Sequence, residues 1–292
     1  MDVRQLRYFL AVVDHGTVHR AAEVLHVAQP SISHSLRRLE KELGAELFLR
    51  RGRGLVLTSA GRALVEPARG VVHLLEVARA TVESVDGLRG GRLTIASMPS
   101  QAVSPLTRLI ADFTRTYPDV EVAVVASDRP GDVCEALRTG TAELGVLAIP
   151  GGLQGLDGMR VRRLETHRFV LVGRADAGLP DNQPLEIADL PGLPLIVGQP
   201  GTGMRRVADA ILAATECRLA VEIEHREALL PLVLAGVGVA VVADSWRPLA
   251  DAVGLSVREL AATETLHVGL VWQHSRLSPA AKAFLNLSPT DR

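Results

Sequence analysis

The stretch that most constrains the fold is QPSISHSLRRLEKELG, residues 29 to 44. Ile32, Leu36, Leu39 and Leu43 recur every three or four positions, so at about 100° per residue they share one narrow helix face. On the same wheel Pro30, His34, Arg37 and Lys41 lie opposite, with Ser33 and Arg38 beside them. A helix divided in this way needs other helices to cover its apolar edge. Two candidates precede it. Val3, Leu6, Phe9, Leu10 and Val13 have helical spacing, and Gly16 ends that segment. Thr17 is placed to cap a second helix running through Leu25, whose small Ala21-Ala22 pair permits a close crossing. The sequence therefore predicts a small N-terminal helical domain with one polar helix face turned outward.

Composition shows where a charged partner would bind. The chain has 292 residues, enough for more than one domain, and is 47% hydrophobic with a net charge of -1. Residues 1–89 carry 13 basic and 10 acidic side chains, a net of +3, which leaves -4 on residues 90–292. A polyanion is thus expected at the N-terminal end. Cys134 and Cys217 lack any pairing or ligand spacing, and no Asp, Glu or Cys cluster joins His15 and His19, so no metal or cofactor is expected. The first residues, MDVRQLRYFLAVVDHG, mix charged and apolar side chains unlike a signal peptide. The longest apolar run, Leu229 to Ala243, is interrupted by Pro231, Gly236 and Gly238 and is shorter than the roughly 20 residues a membrane span needs. A cytoplasmic location is expected.

The polar face of residues 29–44 presents Ser, His, Arg and Lys, with Gln29 and Ser31 at its N-terminal end. Such a face fits the major groove of B-DNA, where arginine pairs with guanine and glutamine with adenine. A merely solvated helix face is the competing reading. The next segment, LFLRRGRGLVLT, favours the groove, because it puts Arg50, Arg51 and Arg53 on a glycine-punctuated tip between two short apolar runs. A basic hairpin of this kind is suited to the phosphate backbone. Residues 3–64 together resemble the N-terminal domain of LysR-type transcriptional regulators. The resemblance is carried by the AA of the second helix, QPSIS, RLEKELG, LFLR and LTSAG. It implies a winged helix-turn-helix over residues 1–60, with DNA contacts at Gln29, Pro30, Ser33, His34, Arg37 and the wing arginines. His34 and Ser35 stand where arginine and glutamine are common in the family, so the base preference should be this chain's own.

Residues 58–88 are expected to form a long helix. Leu64, Ala68, Val71, Leu75, Ala78, Val82 and Val85 alternate spacings of four and three, a heptad seam that a second copy of the chain would cover. Pro67 should bend the helix near its start. In the family resembled, this segment is the linker helix of a dimer, and dimers are expected to pair into tetramers.

Beyond LRGGR, apolar runs of strand length alternate with helical ones, which predicts an α/β domain over residues 92–292. The expected order is two lobes, residues 92–163 with 268–292 and residues 164–267, as in the family's effector domain, which resembles periplasmic binding proteins. Ligands of open α/β sheets sit where strands give way to helices. ASMPSQAV and QPGTGMRR occupy such places, although Ser100 and Thr202 are equally suited to capping helices. The resemblance implies a small-molecule cleft lined by Pro99, Ser100, Gln101, Ser127, Ile149, Gly201, Thr202 and Gly203, with His225 or Arg226 at its edge. The free amides and the hydroxyls favour an anion. No phosphate-binding loop or nucleophile elbow occurs. The reading is a non-enzymatic, effector-responsive regulator that binds promoter DNA and alters RNA polymerase recruitment. The alternative is a solute-binding protein or small-molecule enzyme fused to a helix-turn-helix.

Overall fold

The computed structural model describes residues 1–292 apart from 52–53, 86–87, 89, 182–183, 262–263, 274–276 and 289–292, and apart from the side chain of Arg51. Three helices open the chain: α1 (Val3–His15), α2 (Val18–Val24) and α3 (Gln29–Leu43). Asp2 and Gln5 form a reciprocal capping box at the start of α1, and Gly16, with φ of 73°, ends it in the left-handed conformation that glycine tolerates. Strands β1 (Phe48–Arg51) and β2 (Gly54–Leu57) pair antiparallel as the wing. Phe9, Ala21, Ile32, Leu39 and Leu47 are almost completely buried and form the centre of this domain, with Phe48 tilted against Phe9. The buried stripe of α3 stops at Leu39, because Leu43 is exposed.

The helix α4 (Ser59–Glu83) follows and continues unbroken as a helix through Pro67. The seam expected from the sequence divides here. Leu64 and Ala68 belong to the core shared with α1, together with Val65 and Val72. An outward line of exposed apolar side chains runs through Ala63, Pro67, Val71, Leu74, Ala78 and Val82, so Leu74 replaces Leu75 on it.

The remaining elements build two five-stranded sheets. The first contains β3 (Arg92–Ser97), β4 (Glu121–Ala126), β5 (Leu144–Pro150), β6 (Arg160–His167) and β12 (Leu266–Trp272), in the order β4-β3-β5-β12-β6. The second contains β7 (Phe169–Gly173), β8 (Pro194–Val197), β9 (Arg218–Glu222), β10 (Val239–Ala243) and β11 (Ser256–Glu259), in the order β11-β7-β10-β8-β9. In both, parallel strands joined by helical crossovers meet antiparallel strands on one side. The chain crosses between lobes at Arg168 and returns between the end of β11 and the start of β12. The expected crossings at 163/164 and 267/268 fall inside β6 and β12, since each strand runs on to complete its ladder with the other.

The helices are α5 (Pro99–Gln101), α6 (Thr107–Thr116), α7 (Pro130–Arg138), α8 (Gly203–Ala214), α9 (Leu229–Leu234), α10 (Arg247–Ala252) and α11 (Pro279–Leu287). A wide turn over Ala102–Leu106, extended at Ser104, separates α5 from α6. An apolar core runs through both lobes, from Leu93, Ile95 and Phe113 to Phe169, Ile196 and Val242. No helix among the described residues is long and apolar enough to cross a membrane, and no group of three or more potential metal ligands occurs among them.

Glu143, just before β5, is buried and accepts a hydrogen bond from the Ser278 amide at 2.7 Å, where α11 begins. Burial pushes its carboxyl above the usual range, with the Ser278 hydrogen bonds pulling the other way. A carboxyl whose pKa is raised on folding contributes most below its unfolded pKa, and that contribution is lost as pH rises through the folded value. Glu143→Gln keeps an acceptor for Ser278 and removes the buried charge. It is expected to stabilise the fold by about 1 kcal/mol at pH 7 to 8, an advantage that disappears near pH 4. Thermal melts of both proteins across that range check this.

Candidate DNA interface and effector cleft

The exposed face of α3 carries Gln29, Pro30, Ser31, His34, Arg37 and Arg38, with Ser33 half-buried between them. Their neighbours divide them into two flanks. On one flank a concave surface joins Gln29 and Ser33 to Thr17, Val18 and His19 at the start of α2 and to Arg50, Gly54 and Leu55 of the wing. On the other, Pro30, Ser31, His34, Ser35 and Arg38 face Asp2, Arg4, Gln5 and Tyr8 of α1. The exposed face of α3 forms a ridge between these two concavities. Arg53 and the side chain of Arg51 lie outside the described residues.

The charges are not equally available. Arg38 donates through Nε to Glu42 at 3.0 Å, and Glu42 also binds the N-terminal ammonium, so its carboxyl is held below the usual range, chiefly by the N-terminal amine and then by Arg38. Arg37 makes a weaker bond, from Nε to the Ser33 carbonyl at 3.3 Å, within its own helix. The Arg37 guanidinium therefore faces outward with less to lose on binding a base or a phosphate. Thr17 spends its hydroxyl capping α2, accepting from the Arg20 amide at 3.2 Å. His19 and Arg4 also lie on these flanks. Their exposure on the two flanks depends on how α1 and α2 cross α3, which helical periodicity does not encode.

The second site lies between the lobes, a small cavity of about 70 Å³. Ser100 and Gln101 reach it from the first lobe and Gly201, Thr202, Gly203 and Arg226 from the second. Met98, Asp128, Pro130, Ala148, Pro150, Met204 and Leu266 complete most of the walls, with Arg129 and Arg206 at hand. Four residues expected here are placed elsewhere. Pro99 is not among the lining residues, and Ser127 is buried in the β3/β4 ladder, donating its amide to Ser97. Ile149 points from the opposite face of β5 into a cluster with Leu153 and Met159, while its neighbours Ala148 and Pro150 line the cavity. Alternation along a strand makes that a one-residue error of parity. His225 is largely exposed, 3.4 Å from Glu227.

Arg226 is the centre of the cleft. Only 4% of it is exposed, yet it has no carboxylate within ion-pair distance among the described residues. Its Nη1 crosses between the lobes to donate to Ser100 Oγ at 3.3 Å, and its Nη2 is buried without a partner. Burial lowers its pKa, while Asp128 raises it. A buried cation with an idle donor is a place for an anion. Thr202 caps α8 through the Arg205 amide, and Gly201, at φ of 84°, makes the turn that brings α8 to the cavity. Arg206 is committed to Glu264 at 2.6 Å, which ties α8 to the segment returning between lobes.

Comparison with known proteins identifies both domains. Residues 3–62 match the model of the bacterial regulatory helix-turn-helix protein, lysR family, and residues 86–289 match the LysR substrate binding domain. The regulator ClcR of Pseudomonas putida is 29% identical, with 99% of this chain and 98% of that protein aligned. TdfR of Cupriavidus pinatubonensis is 30% identical over the same shares of the two chains. The fold is similar to full-length OxyR of Pseudomonas aeruginosa, with TM-score 0.73, 22% identity and 99% and 93% of the two chains covered. It is also similar to full-length CbnR complexed with target DNA, at TM-score 0.69, 24% identity and 99% of each chain covered. Two family models covering both domains, together with relatives alignable end to end, show that the chain belongs to the LysR family of transcriptional regulators, with a helix-turn-helix DNA-binding domain followed by an effector-binding domain.

Proposed function

We propose that the protein is a homodimeric regulator, pairing further into tetramers, that switches a promoter in response to an anionic effector. Each α3 enters a major groove, with Gln29, Ser33 and Arg37 facing bases and Arg50, Arg51 and Arg53 holding the flanking phosphates. Two copies of α4 pair along the line from Pro67 to Val82, which sets the spacing of two half-sites. The ligand bridges Ser100 on one lobe and Arg226 and Thr202 on the other, so its affinity differs between lobe arrangements and it shifts their populations. The shift alters DNA spacing or bend and hence RNA polymerase recruitment in the cytoplasm. The protein acts by binding rather than turnover.

The observation that carries the effector assignment is the Arg226 guanidinium, buried across the lobe boundary with Nη2 unpartnered. A screen of small metabolites by thermal shift is expected to return anions. Arg226→Met should weaken their binding by about 10- to 100-fold, the worth of a charge-assisted hydrogen bond. Stabilisation by neutral compounds that persists in Arg226→Met would remove the assignment.

A further inference from the structure

The cleft has an idle acceptor as well as an idle donor. Gln101 is 1% exposed, and its Oε1 is buried with no hydrogen-bond donor reaching it. It lines the same cavity as Arg226. Asp128 lines it too, as a carboxylate that only accepts. One side of the cavity therefore offers unspent N–H and the other unspent oxygen, while Met98, Ala148, Met204 and Leu266 supply apolar wall. A plain carboxylate would satisfy Arg226 and leave Gln101 as it stands. A second carboxylate would meet the charge of Asp128.

We infer that the cleft selects an apolar monocarboxylate bearing a hydrogen-bond donor beside the acid group, a hydroxy acid or an amino acid. The carboxylate binds Arg226 and Ser100, and the hydroxyl or ammonium donates to Gln101 Oε1 and Asp128. This rests on the anion reading of the cleft and narrows it. A polar group left unpaired on burial is what lets a site reject a ligand lacking the matching atom, so the donor should matter more than the hydrocarbon.

Two matched triads test this on the full-length protein by calorimetric titration. One is mandelate, phenylglycine and phenylacetate; the other is 2-hydroxy-4-methylpentanoate, leucine and 4-methylpentanoate. In at least one triad the hydroxy or amino acid is expected to bind about tenfold or more tightly than the plain acid. Gln101→Leu should erase a preference for the hydroxy acid and Asp128→Asn one for the amino acid. Equal binding within both triads, or a preference for the plain acid, overturns the inference, and the wild-type comparison needs no variant to fold. Absence of binding by every acid, or binding that survives Arg226→Met, overturns the anion reading beneath it instead.

Discussion

Leu74→Asp is expected to turn the protein into a monomer and to lower its affinity for a two-half-site operator by on the order of 10²- to 10⁴-fold. Leu74 is 47% exposed on α4, in line with Val71 at 44% and Val82 at 73%. On a single chain the residue faces water, so the substitution leaves the packing of Leu64 and Ala68 on α1 untouched. Across a two-fold axis the same change puts two carboxylates into an apolar seam, where an uncompensated charge is costly. Once the copies separate, the second half-site is no longer bound at the high effective concentration that a linked partner provides, which is the source of the predicted factor. Sedimentation measures the first effect and titration of an inverted repeat against a single half-site measures the second. Affinity for the single half-site should match between wild type and variant. A variant that stays dimeric and keeps full operator affinity would exclude α4 as the pairing helix.

What the sequence made legible follows the physics of burial. Strands flanked on both sides, such as β5, β7 and β10, are continuous apolar runs, and their positions are readable directly. Strands β6, β9 and β11, each at the edge of its sheet, are not readable in this way. Their sequences, RVRRLETH, RLAVE and SVRE, carry the charges that protect a sheet edge and so imitate loops. The recognition helix was legible because its two faces differ in kind. The seam of α4 was legible in period but not in phase: a helix that packs on α1 at one end and is bare at the other satisfies two partners, and a single stripe cannot describe both. In the cleft, loops ending in helix caps named the right neighbourhood. The choice between Ile149 and its neighbours, or between His225 and Arg226, depended on side-chain direction.

Gly61 offers the sharpest test of how the wing is held, because two effects predict opposite signs. In the interior of an exposed helix, glycine to alanine gains up to about 1 kcal/mol from helix propensity alone. Gly61 is buried in the first turn of α4, where Thr58 caps the helix through the Gly61 amide at 2.9 Å and Thr58 N–H donates to the Leu47 carbonyl at 3.0 Å. A Cβ at position 61 would press into that same Leu47 carbonyl oxygen, with Leu47 C at 3.1 Å and Leu57 Cδ2 at 2.8 Å. The leucine side chain can turn aside, but the carbonyl is main chain and is fixed by the wing. To admit the Cβ, α4 must lift from β1, which breaks the Thr58 bond and opens the floor beneath Leu47 and Phe48. Gly61→Ala is therefore expected to destabilise the N-terminal domain by about 1–3 kcal/mol, and Gly61→Val by more, the range of overpacked cores. The loss should appear as an earlier unfolding transition of that domain and as lost operator binding, while the transition of the two-lobed domain stays in place. A stabilised Gly61→Ala protein would mean that α4 and the wing are not in the contact described.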